Sequence, residues 1–452
     1  SSDLSPDVSG PAEMWSGIVS FVTVGYFSLG RSFAYIGIPQ AKLFIGEIAL
    51  ALFVAAKPRA ALGILADALL RRSPLNSLAL CLYLFVAFGA VQAARGILAG
   101  SGLDVLKYFV FNYYTLYIFF GLWAALRDRT LLPRVLRMLA WVNGVYGVAY
   151  LVVLKDVAFA LPGSPVNLFG APNGSAAAIL GILCFERNLF RVWPLLVLNT
   201  VVLLGMSVRA EWLGLTLATL FWAFATGRVL RLLAMGAMGL ALVGLIELSG
   251  IKISGRMEID TGKIISRAIA PINEDLAKEF SPHAAEDGGT LKWREAWWDQ
   301  IWVSVHSDSR LELIGYGYGF DLFSLAPADV RAGQATDIRT PHNVFYYALG
   351  YTGWIGFALF AFMMLSILHL QWAAFNISGQ PFGIAWWIAA VAISFFSNFF
   401  ETPFQSIPFY MLMGMGMAPV LCGAGVLYDN RAGPRAPRRT PADRLQPAMD
   451  KS

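Results

Sequence analysis

Residues 343–368 read NVFYYALGYTGWIGFALFAFMMLSIL, a run of 26 residues without Asp, Glu, Lys or Arg. A helix of roughly 20 apolar residues crosses the hydrocarbon core of a bilayer. The strands of a membrane β-barrel are shorter, about 10 residues, and alternate apolar with polar side chains. The run therefore predicts a membrane-spanning α-helix.

Apolar runs of this kind recur along the whole chain. Its 452 residues are 57% hydrophobic and 14% charged, and the mean hydropathy is +0.60. A soluble chain carries about a quarter charged residues. Because backbone polar groups inside a bilayer have to be satisfied within each segment, we predict an all-α polytopic integral membrane protein with about 12 transmembrane helices. The predicted spans are residues 14–30, 34–56, 76–94, 103–125, 135–154, 174–186, 193–208, 210–227, 229–249, 343–368, 382–398 and 404–427.

The basic residues between these spans predict the orientation of the chain. One set of alternate loops, with the tail after Tyr428, holds most of them: Lys57, Arg59, Arg71, Arg72, Arg127, Arg129, Arg134, Arg137, Arg187, Arg191, Arg228, Arg231, Arg431, Arg435, Arg438, Arg439, Arg444 and Lys451. The opposite short loops hold little beyond Arg31, Arg95, Lys155 and Arg209. Lys and Arg accumulate on the cytoplasmic side, so both termini are predicted to be cytoplasmic. This placement also explains the net charge of +5 without a nucleic-acid partner.

Four regions follow from this arrangement. Residues 1–250 carry predicted transmembrane helices 1–9, residues 251–341 form a large, partly helical loop domain, and residues 342–428 carry helices 10–12. Residues 429–452, rich in Pro and Arg, are predicted to be a disordered cytoplasmic tail. The loop domain is then predicted to face the non-cytoplasmic side, which in a bacterial inner-membrane protein is the periplasm.

The loop domain contains 14 acidic and 10 basic residues and an aromatic stretch, Thr290 to Ser304. Its tryptophans recur at helical spacing and are Trp293, Trp297, Trp298 and Trp302. Since Trp prefers the headgroup level, this helix lies on the outer leaflet. The alternative is a helix packed against the core of the loop domain.

No motif for a metal, a nucleotide or a covalent nucleophile is found. HExxH, GxxxxGK[ST], GxSxG and paired Cys motifs do not occur, and Cys81, Cys184 and Cys422 all fall in apolar segments. Glu258 and Asp260 are either a solvated loop pair or two ligands for a divalent cation. We therefore predict a protein without a metal or another cofactor.

The sharpest candidate for chemistry is the segment Arg339-Thr340-Pro341-His342-Asn343. Thr340 is a suitable N-cap and Pro341 a suitable first helical residue, which places His342 in the first turn. A helix N-terminus disfavours imidazolium and attracts anions, so the ring is predicted to be neutral and able to accept a proton. The alternative is an interfacial histidine without a role.

Two arginines are candidates for binding phosphate. Arg209 follows an apolar run at a tight external turn, and Arg294 lies in the Trp-rich stretch. A guanidinium binds phosphate through two parallel hydrogen bonds. The alternatives are an ion pair of Arg209 with Glu211 and an exposed interfacial charge for Arg294.

Further residues are candidates for substrate binding. Gly315, Tyr316 and Gly317 alternate glycine with an aromatic ring that suits sugar stacking, although a plain turn also explains them. Asn173 lies in a loop that breaks two apolar segments, and Glu401 lies at an external span end, where it is either a ligand or an interfacial carboxylate. Arg339 and Asn343, which flank His342, complete the set.

Together these features resemble the O-antigen ligase and polymerase family of bacterial membrane glycosyltransferases. The resemblance spans roughly Asn173 to Gln405 and rests on short motifs in a common order. They are Pro172-Asn173, Ser207-Val208-Arg209, Trp293-Arg294, Gly315-Tyr316-Gly317 and Pro341-His342-Asn343. The ligases are most similar, through Arg209, Arg294 and His342, while Val208 stands where many relatives have a small polar residue.

The resemblance implies a glycosyltransferase-C-like fold and a specific reaction. The donor would be a glycan on undecaprenyl pyrophosphate, and the acceptor would be a sugar hydroxyl of the lipid A–core oligosaccharide. Arg209 and Arg294 would bind the pyrophosphate, and His342 would act as the base, without a metal and with inversion. The active site would face the periplasm.

Other functions stay open at this stage. An O-antigen polymerase or a protein O-oligosaccharyltransferase of the same family would share the donor and differ in the acceptor. A transporter or flippase for a lipid-linked sugar would carry charges within broken helices. Lys42 and Glu47 in the second span are its best candidates.

Overall fold

The computed structural model describes residues 10–38, 43–58, 74–160, 166–186, 188–249, 262, 265–266, 269, 273–281, 284–333 and 340–423. Lys42, Glu258, Asp260, Arg339 and the predicted tail 429–452 lie outside the described residues.

The described chain is almost entirely helical. Its α-helices are α1 (Gly10–Ala34), α2 (Ile45–Ala56), α3 (Asn76–Gly96), α4 (Leu106–Tyr113), α5 (Tyr117–Arg127), α6 (Leu131–Val152), α7 (Ser175–Phe185), α8 (Leu189–Met206), α9 (Arg209–Thr226), α10 (Val229–Leu248), α11 (Glu274–Phe280), α12 (Ala284–Val305), α13 (Ser309–Ile314), α14 (Ala328–Gly333), α15 (Val344–Ser378), α16 (Phe382–Ser394) and α17 (Pro403–Gly423). A π-helical segment (Ile97–Ser101) and 3-10 turns (Gly102–Val105, Tyr114–Leu116, Leu154–Asp156, Leu322–Leu325, Phe399–Glu401) connect some of them. Strands β1 (Gly37–Ile38) and β2 (Leu43–Phe44) form an antiparallel hairpin.

Five of the helical stretches are long and apolar enough to cross a membrane. They are Asn76–Arg127, Leu131–Val152, Leu189–Met206, Val344–Ser378 and Pro403–Cys422. Shorter apolar helices are Ile45–Ala56, Ser175–Phe185, Val229–Ala241 and Phe382–Ser394. The chain is thus an all-α, multi-pass membrane protein, while the number of about 12 spans stays a prediction.

The second predicted span, residues 34–56, is wrong in its first half. Helix α1 ends at Ala34, and Gly37 and Ile38 pair with Phe44 and Leu43 before α2 begins at Ile45. Hydropathy treats this stretch as one apolar run, although Gly37 and Pro39 in the sequence disfavour a continuous helix.

Helix α17 is the central element of the fold. Some 83% of its apolar window is buried, compared with 39–44% in the other four candidate spans. It packs against α1, α5 and α15. Gly121 and Gly414 let two backbones approach, because a Cβ at either position would clash with the facing carbonyl of Met411 or Ile118. Small residues are the usual means of close packing between membrane helices.

Helices α9 and α16 form a second tightly packed pair, and their register positions the candidate site. A Cβ at Gly214 would lie 2.7 Å from the Ala389 carbonyl and 2.7 Å from Ile393 Cγ1. Further along α9, Phe221 shares a cavity wall with Ile384. Residue numbers therefore rise along α9 as they fall along α16, so the helices are antiparallel and the start of α9 lies beside the end of α16.

The Trp-rich helix α12 packs into the fold. Trp297 and Trp298 are buried, and their indole N–H groups donate to the carbonyls of Leu322 (2.8 Å) and Pro341 (2.7 Å). Trp302 remains 40% exposed. The sequence left open a helix on the outer leaflet and a packed helix. Trp297 and Trp298 belong to a packed helix.

Candidate functional site

The segment before α15 has a different geometry from the one predicted. Asn343, and not Thr340, is the N-cap: its Oδ1 accepts hydrogen bonds from the N–H groups of Phe345 (2.9 Å) and Tyr346 (3.4 Å). The prediction that His342 lies in the first helical turn is therefore wrong. Asn is at least as good an N-cap as Thr, and a cap at Asn343 leaves three residues more outside the helix.

His342 instead occupies a left-handed backbone conformation, with φ of 53°. Non-glycine residues rarely adopt this conformation, and such strain persists where the surroundings determine it. The neighbouring Pro341 is held by the Trp298 indole, and the Trp298 ring stacks on Tyr346 at 5.4 Å between centroids. The buried tryptophan of α12 thus fixes the backbone on either side of His342.

Arg294 lies in the same helix, one turn before Trp298. Its Nη1 donates to the carbonyl of Phe396 (3.3 Å), just beyond α16, and its Cζ lies 5.3 Å from the centroid of Trp293. Its Nε is buried and has no hydrogen-bond partner among the described residues. The guanidinium is therefore not an exposed interfacial charge, and it retains a free donor.

Arg209 is the first residue of α9, directly after a turn in which Ser207 has φ of 55°. Five residues of α-helix rise by about 7.5 Å, so Arg209 lies beyond the level of Gly214 and Ile393, toward Phe396. Burial lowers the pKa of Arg294, and the positive charge of Arg209 lowers it further. The two arginines, distant in sequence, therefore converge. Glu211 is buried in the first turn of α9, and its predicted ion pair with Arg209 stays a prediction.

His342 belongs to the same electrostatic group. Burial, followed by the positive charge of Arg294, lowers the pKa of His342 to about 4. The imidazole is therefore neutral at neutral pH, as predicted, but for another reason: burial and a cation replace the helix N-terminus as the cause. A neutral imidazole beside two guanidinium groups is able to accept a proton next to a bound anion.

This cause is testable without an activity assay. We expect Arg294→Gln to raise the pKa of His342 toward the ordinary value of 6.5, because the nearby cation is removed. Deuterium exchange at the imidazole C2 position, followed by mass spectrometry across a pH series, measures this pKa. The matched control is Arg310→Gln, which removes an exposed guanidinium of the loop domain. An equal pKa of His342 in wild type and Arg294→Gln would contradict the electrostatic effect of Arg294 on His342.

Glu401 lies in the short turn between α16 and α17 and is 8% exposed. Its two carboxyl oxygens are buried, and the Thr340 side chain is a polar neighbour of the carboxyl group. Burial raises the pKa of Glu401 to about 8, and the neighbouring Thr340 side chain opposes this rise. The segment between α16 and α17 thus contacts the site at two places. The Phe396 carbonyl accepts a hydrogen bond from Arg294, and Glu401 lies beside Thr340.

The raised pKa predicts how Glu401→Gln responds to pH. The folded pKa of about 8 exceeds the ordinary 4.5, so the folded protein holds the extra proton between these values. The corresponding stability is fully present below the unfolded pKa and is lost as pH rises through the folded pKa. We expect equal thermal stability of wild type and Glu401→Gln below about pH 4.5, and a variant that becomes increasingly more stable than wild type as the pH rises toward 8. Glu295→Gln, at an exposed position of α12, is the control. A parallel pH dependence of Glu401→Gln and wild type would contradict the prediction.

Gly315, Tyr316 and Gly317 are held against the kink of α15. The N–H groups of Tyr316 and Gly317 donate to the carbonyls of Gly350 (2.9 Å) and Tyr351 (3.0 Å). Gly315 has φ of 63°, and a Cβ there would lie 2.5 Å from the Thr352 nitrogen. The glycines are thus explained by positive φ and close backbone approach, whereas their predicted sugar contact stays a prediction.

Arg95 and Gln92 of α3 hold the same loop from the other side. From the sequence, Arg95 was expected only to be a charge in a short loop. Arg95 donates to the carbonyls of Ile314 (3.1 Å) and Gly315 (3.3 Å), and Gln92 donates to Ile314 (2.8 Å). An arginine after a 22-residue stretch without charges was the available signal.

Asn173 lies just before α7, and its hydrogen bonds within the described residues go elsewhere. Its N–H donates to the Phe27 carbonyl (2.8 Å) and its Nδ2 to the Ala171 carbonyl (3.0 Å). The structure therefore relates Asn173 to α1, and its role in substrate binding stays a prediction.

Arg209, Arg294 and His342 thus form one site, which Glu401 and Thr340 border. Among the described residues no group of three or more His, Cys, Asp or Glu side chains has a metal-binding arrangement. The site combines two cations with a neutral imidazole, an arrangement suited to an anionic leaving group and a proton acceptor.

Comparison with known protein families identifies a matching family model. The family model described as O-antigen ligase matches residues 194–361, a segment that contains Arg209, Arg294 and His342. No curated protein matches the chain.

Proposed function

We propose that this membrane protein transfers a glycan from undecaprenyl pyrophosphate to a sugar hydroxyl of lipid A–core oligosaccharide, and the match of residues 194–361 to the family model described as O-antigen ligase supports this proposal. The observation that carries the proposal is the convergence of Arg209 and Arg294 beside His342. The reaction belongs to lipopolysaccharide biosynthesis, with the protein in the inner membrane and its active site facing the periplasm.

The two arginines bind the pyrophosphate and stabilise it as it leaves. Negative charge develops on the bridging oxygen as the bond to the anomeric carbon breaks, and preorganised cations stabilise that charge. The free Nε of Arg294 supplies a donor for this purpose. Pyrophosphate is a good leaving group, so two guanidinium groups perform this task without a metal.

His342 accepts the proton of the acceptor hydroxyl. The acceptor oxygen forms a bond to the anomeric carbon, the bond from that carbon to the phosphate oxygen breaks, and undecaprenyl pyrophosphate leaves with the electron pair. One displacement without a covalent intermediate inverts the anomeric configuration. Bound pyrophosphate also offsets the charge of Arg294, the cation that lowers the pKa of His342. The imidazole therefore becomes a better base when the donor is bound.

A candidate surface for the lipid part of the donor lies further along the same helices. A cavity of about 430 Å³ is lined by α9, α15 and α16, and its residue Phe221 lies about 18 Å along α9 from Arg209. Its apolar lining consists chiefly of Phe221, Trp372, Trp387 and Ile388. An isoprenoid chain descending from the bound pyrophosphate fits such a groove.

Transfer in vitro tests the proposal. Purified protein is incubated with undecaprenyl-pyrophosphate glycan and lipid A–core, with and without EDTA. We expect a larger lipid–glycan product whose yield EDTA does not change. Loss of product in EDTA would contradict metal independence.

The acceptor separates the related activities. Parallel reactions with a second glycan-lipid and with a pilin-like protein test polymerase and protein O-oligosaccharyltransferase activity. Product only with one of these acceptors would reassign the reaction within the family. Movement of the donor across vesicles without any transfer would favour a flippase.

A further inference from the structure

A carboxylate in an apolar helix remains outside the proposed catalysis. Glu47 lies in the first turn of α2, whose Ile48, Leu52 and Val54 are exposed. Its Oε1 accepts hydrogen bonds from the hydroxyls of Tyr113 (2.8 Å) and Tyr114 (2.9 Å), and its Oε2 accepts the Phe44 N–H (3.2 Å). No cation of the described residues pairs with it. Ionisable groups in the apolar helices of membrane proteins are costly and mark functional sites.

Two further hydroxyls lie behind Glu47 without partners. Tyr26 and Tyr117 are completely buried, and neither hydroxyl has a hydrogen-bond partner among the described residues. A Cβ at Gly46 would clash with the Tyr26 hydroxyl and lie 3.1 Å from that of Tyr117. Buried polar groups are normally satisfied, so these hydroxyls make the surroundings of Glu47 unusually polar for an apolar helix.

A cation, Arg31, lies beside a pair of aromatic rings, those of Tyr35 and Phe44. Arg31 is exposed in the last turn of α1, and its Cζ lies 5.5 Å from the centroid of Tyr35. The Tyr35 and Phe44 rings are 5.3 Å apart, and the Phe44 N–H binds Glu47. In the described part of the chain Arg31 forms no ion pair. An exposed cation and a carboxylate thus flank Tyr35 and Phe44. We name Arg31, Tyr35, Phe44 and Glu47 the hairpin site.

Apolar side chains surround the hairpin site. Ile36, Ile38 and Leu43 are 45%, 54% and 45% exposed. At a membrane surface these side chains contact lipid acyl chains, since exposed apolar groups there bury themselves in the interface. One cation, one anion and an apolar rim are complementary to a zwitterionic phospholipid.

We infer that the hairpin site binds phosphatidylethanolamine, with its phosphate on Arg31 and its ammonium on Glu47. A primary ammonium donates three hydrogen bonds, and the Glu47 carboxylate is an acceptor for them. The trimethylammonium of phosphatidylcholine has no such donors, and phosphatidylglycerol has no cation. The inference goes beyond the proposed transferase and does not depend on it.

Native mass spectrometry of the full-length, delipidated protein tests the inference. Titrations use phosphatidylethanolamine, phosphatidylcholine and phosphatidylglycerol with identical acyl chains. We expect phosphatidylethanolamine to bind about tenfold more tightly than the other two, the effect of one charged hydrogen bond. Glu47→Gln is expected to remove this preference, and Arg31→Gln to weaken all three lipids alike.

Matched variants separate the site from general effects. Glu13→Gln and Arg129→Gln remove an exposed acid and an exposed base elsewhere, and we expect wild-type binding from both. Tyr113→Phe removes one hydrogen bond to Glu47 and gives an intermediate loss if Glu47→Gln does not fold. Equal binding of the three lipids by wild type would overturn the inference. So would an unchanged preference in both Glu47→Gln and Tyr113→Phe, or tighter binding of lipid A.

Discussion

Replacing His342 with Asn is expected to lower the rate of glycan transfer by about 10²- to 10⁴-fold, the usual contribution of a general base. Asn cannot accept the acceptor proton at neutral pH. It does tolerate the left-handed conformation that His342 adopts, with φ of 53°, so the backbone before α15 is retained. Initial rates with saturating donor and acceptor measure the effect.

The design separates chemistry from structure. His306→Asn changes another histidine of the loop domain, whose Nδ1 lies 2.8 Å from the Trp302 carbonyl, and we expect it to retain transfer. Thermal unfolding of His342→Asn should match that of wild type. A folded His342→Asn protein with a wild-type rate would remove His342 from the mechanism.

Replacing either arginine of the site is expected to have the second largest effect. Loss of one donor to the developing charge lowers kcat by about 10²- to 10³-fold. Arg294→Lys should also be defective, because an ammonium keeps the charge but lacks the planar pair of donors. Initial rates of Arg209→Gln, Arg294→Gln and Arg294→Lys measure these losses.

The double variant adds a second criterion. Arg209→Gln with Arg294→Gln should lose less than the product of the single losses, because groups that act as a unit are not additive. Arg310→Gln, which removes an exposed arginine, is the matched control. Multiplicative losses, or a fully active Arg294→Lys, would contradict a shared pyrophosphate site.

The sequence predicted helices wherever apolar runs were long, but it placed some ends wrongly. The span predicted to end at Leu368 continues to Ser378 as one helix. His369 and Gln371 lower the hydropathy there without ending the helix, because the buried Gln371 donates through Nε2 to the Met413 carbonyl (2.7 Å). Such a partner lies 42 residues away and cannot be read from local composition.

The residues of the site were predictable individually, and their arrangement was not. Residue type identified Arg209, Arg294 and His342 as candidates for phosphate binding and proton transfer. Their approach depends on the register of α9 on α16 and on the hydrogen bond from Trp298 to Pro341, both of which are tertiary contacts. The choice of Asn343 as N-cap likewise depended on competition between two good capping residues.

The contact of Arg95 with the glycine-rich loop has a consequence for biogenesis. Arg95 leaves the ribosome 219 positions before Ile314, whose carbonyl it binds. At ordinary synthesis rates of about 5–20 residues per second, Ile314 is synthesised roughly 10 to 40 s after Arg95. During this interval α3 has to insert with its arginine directed to the headgroups, as long basic side chains do at helix ends. The loop domain therefore docks onto α3 only after α3 has been inserted. Variants that delay this docking should therefore be cleared by membrane quality control before they are ever assayed for transfer.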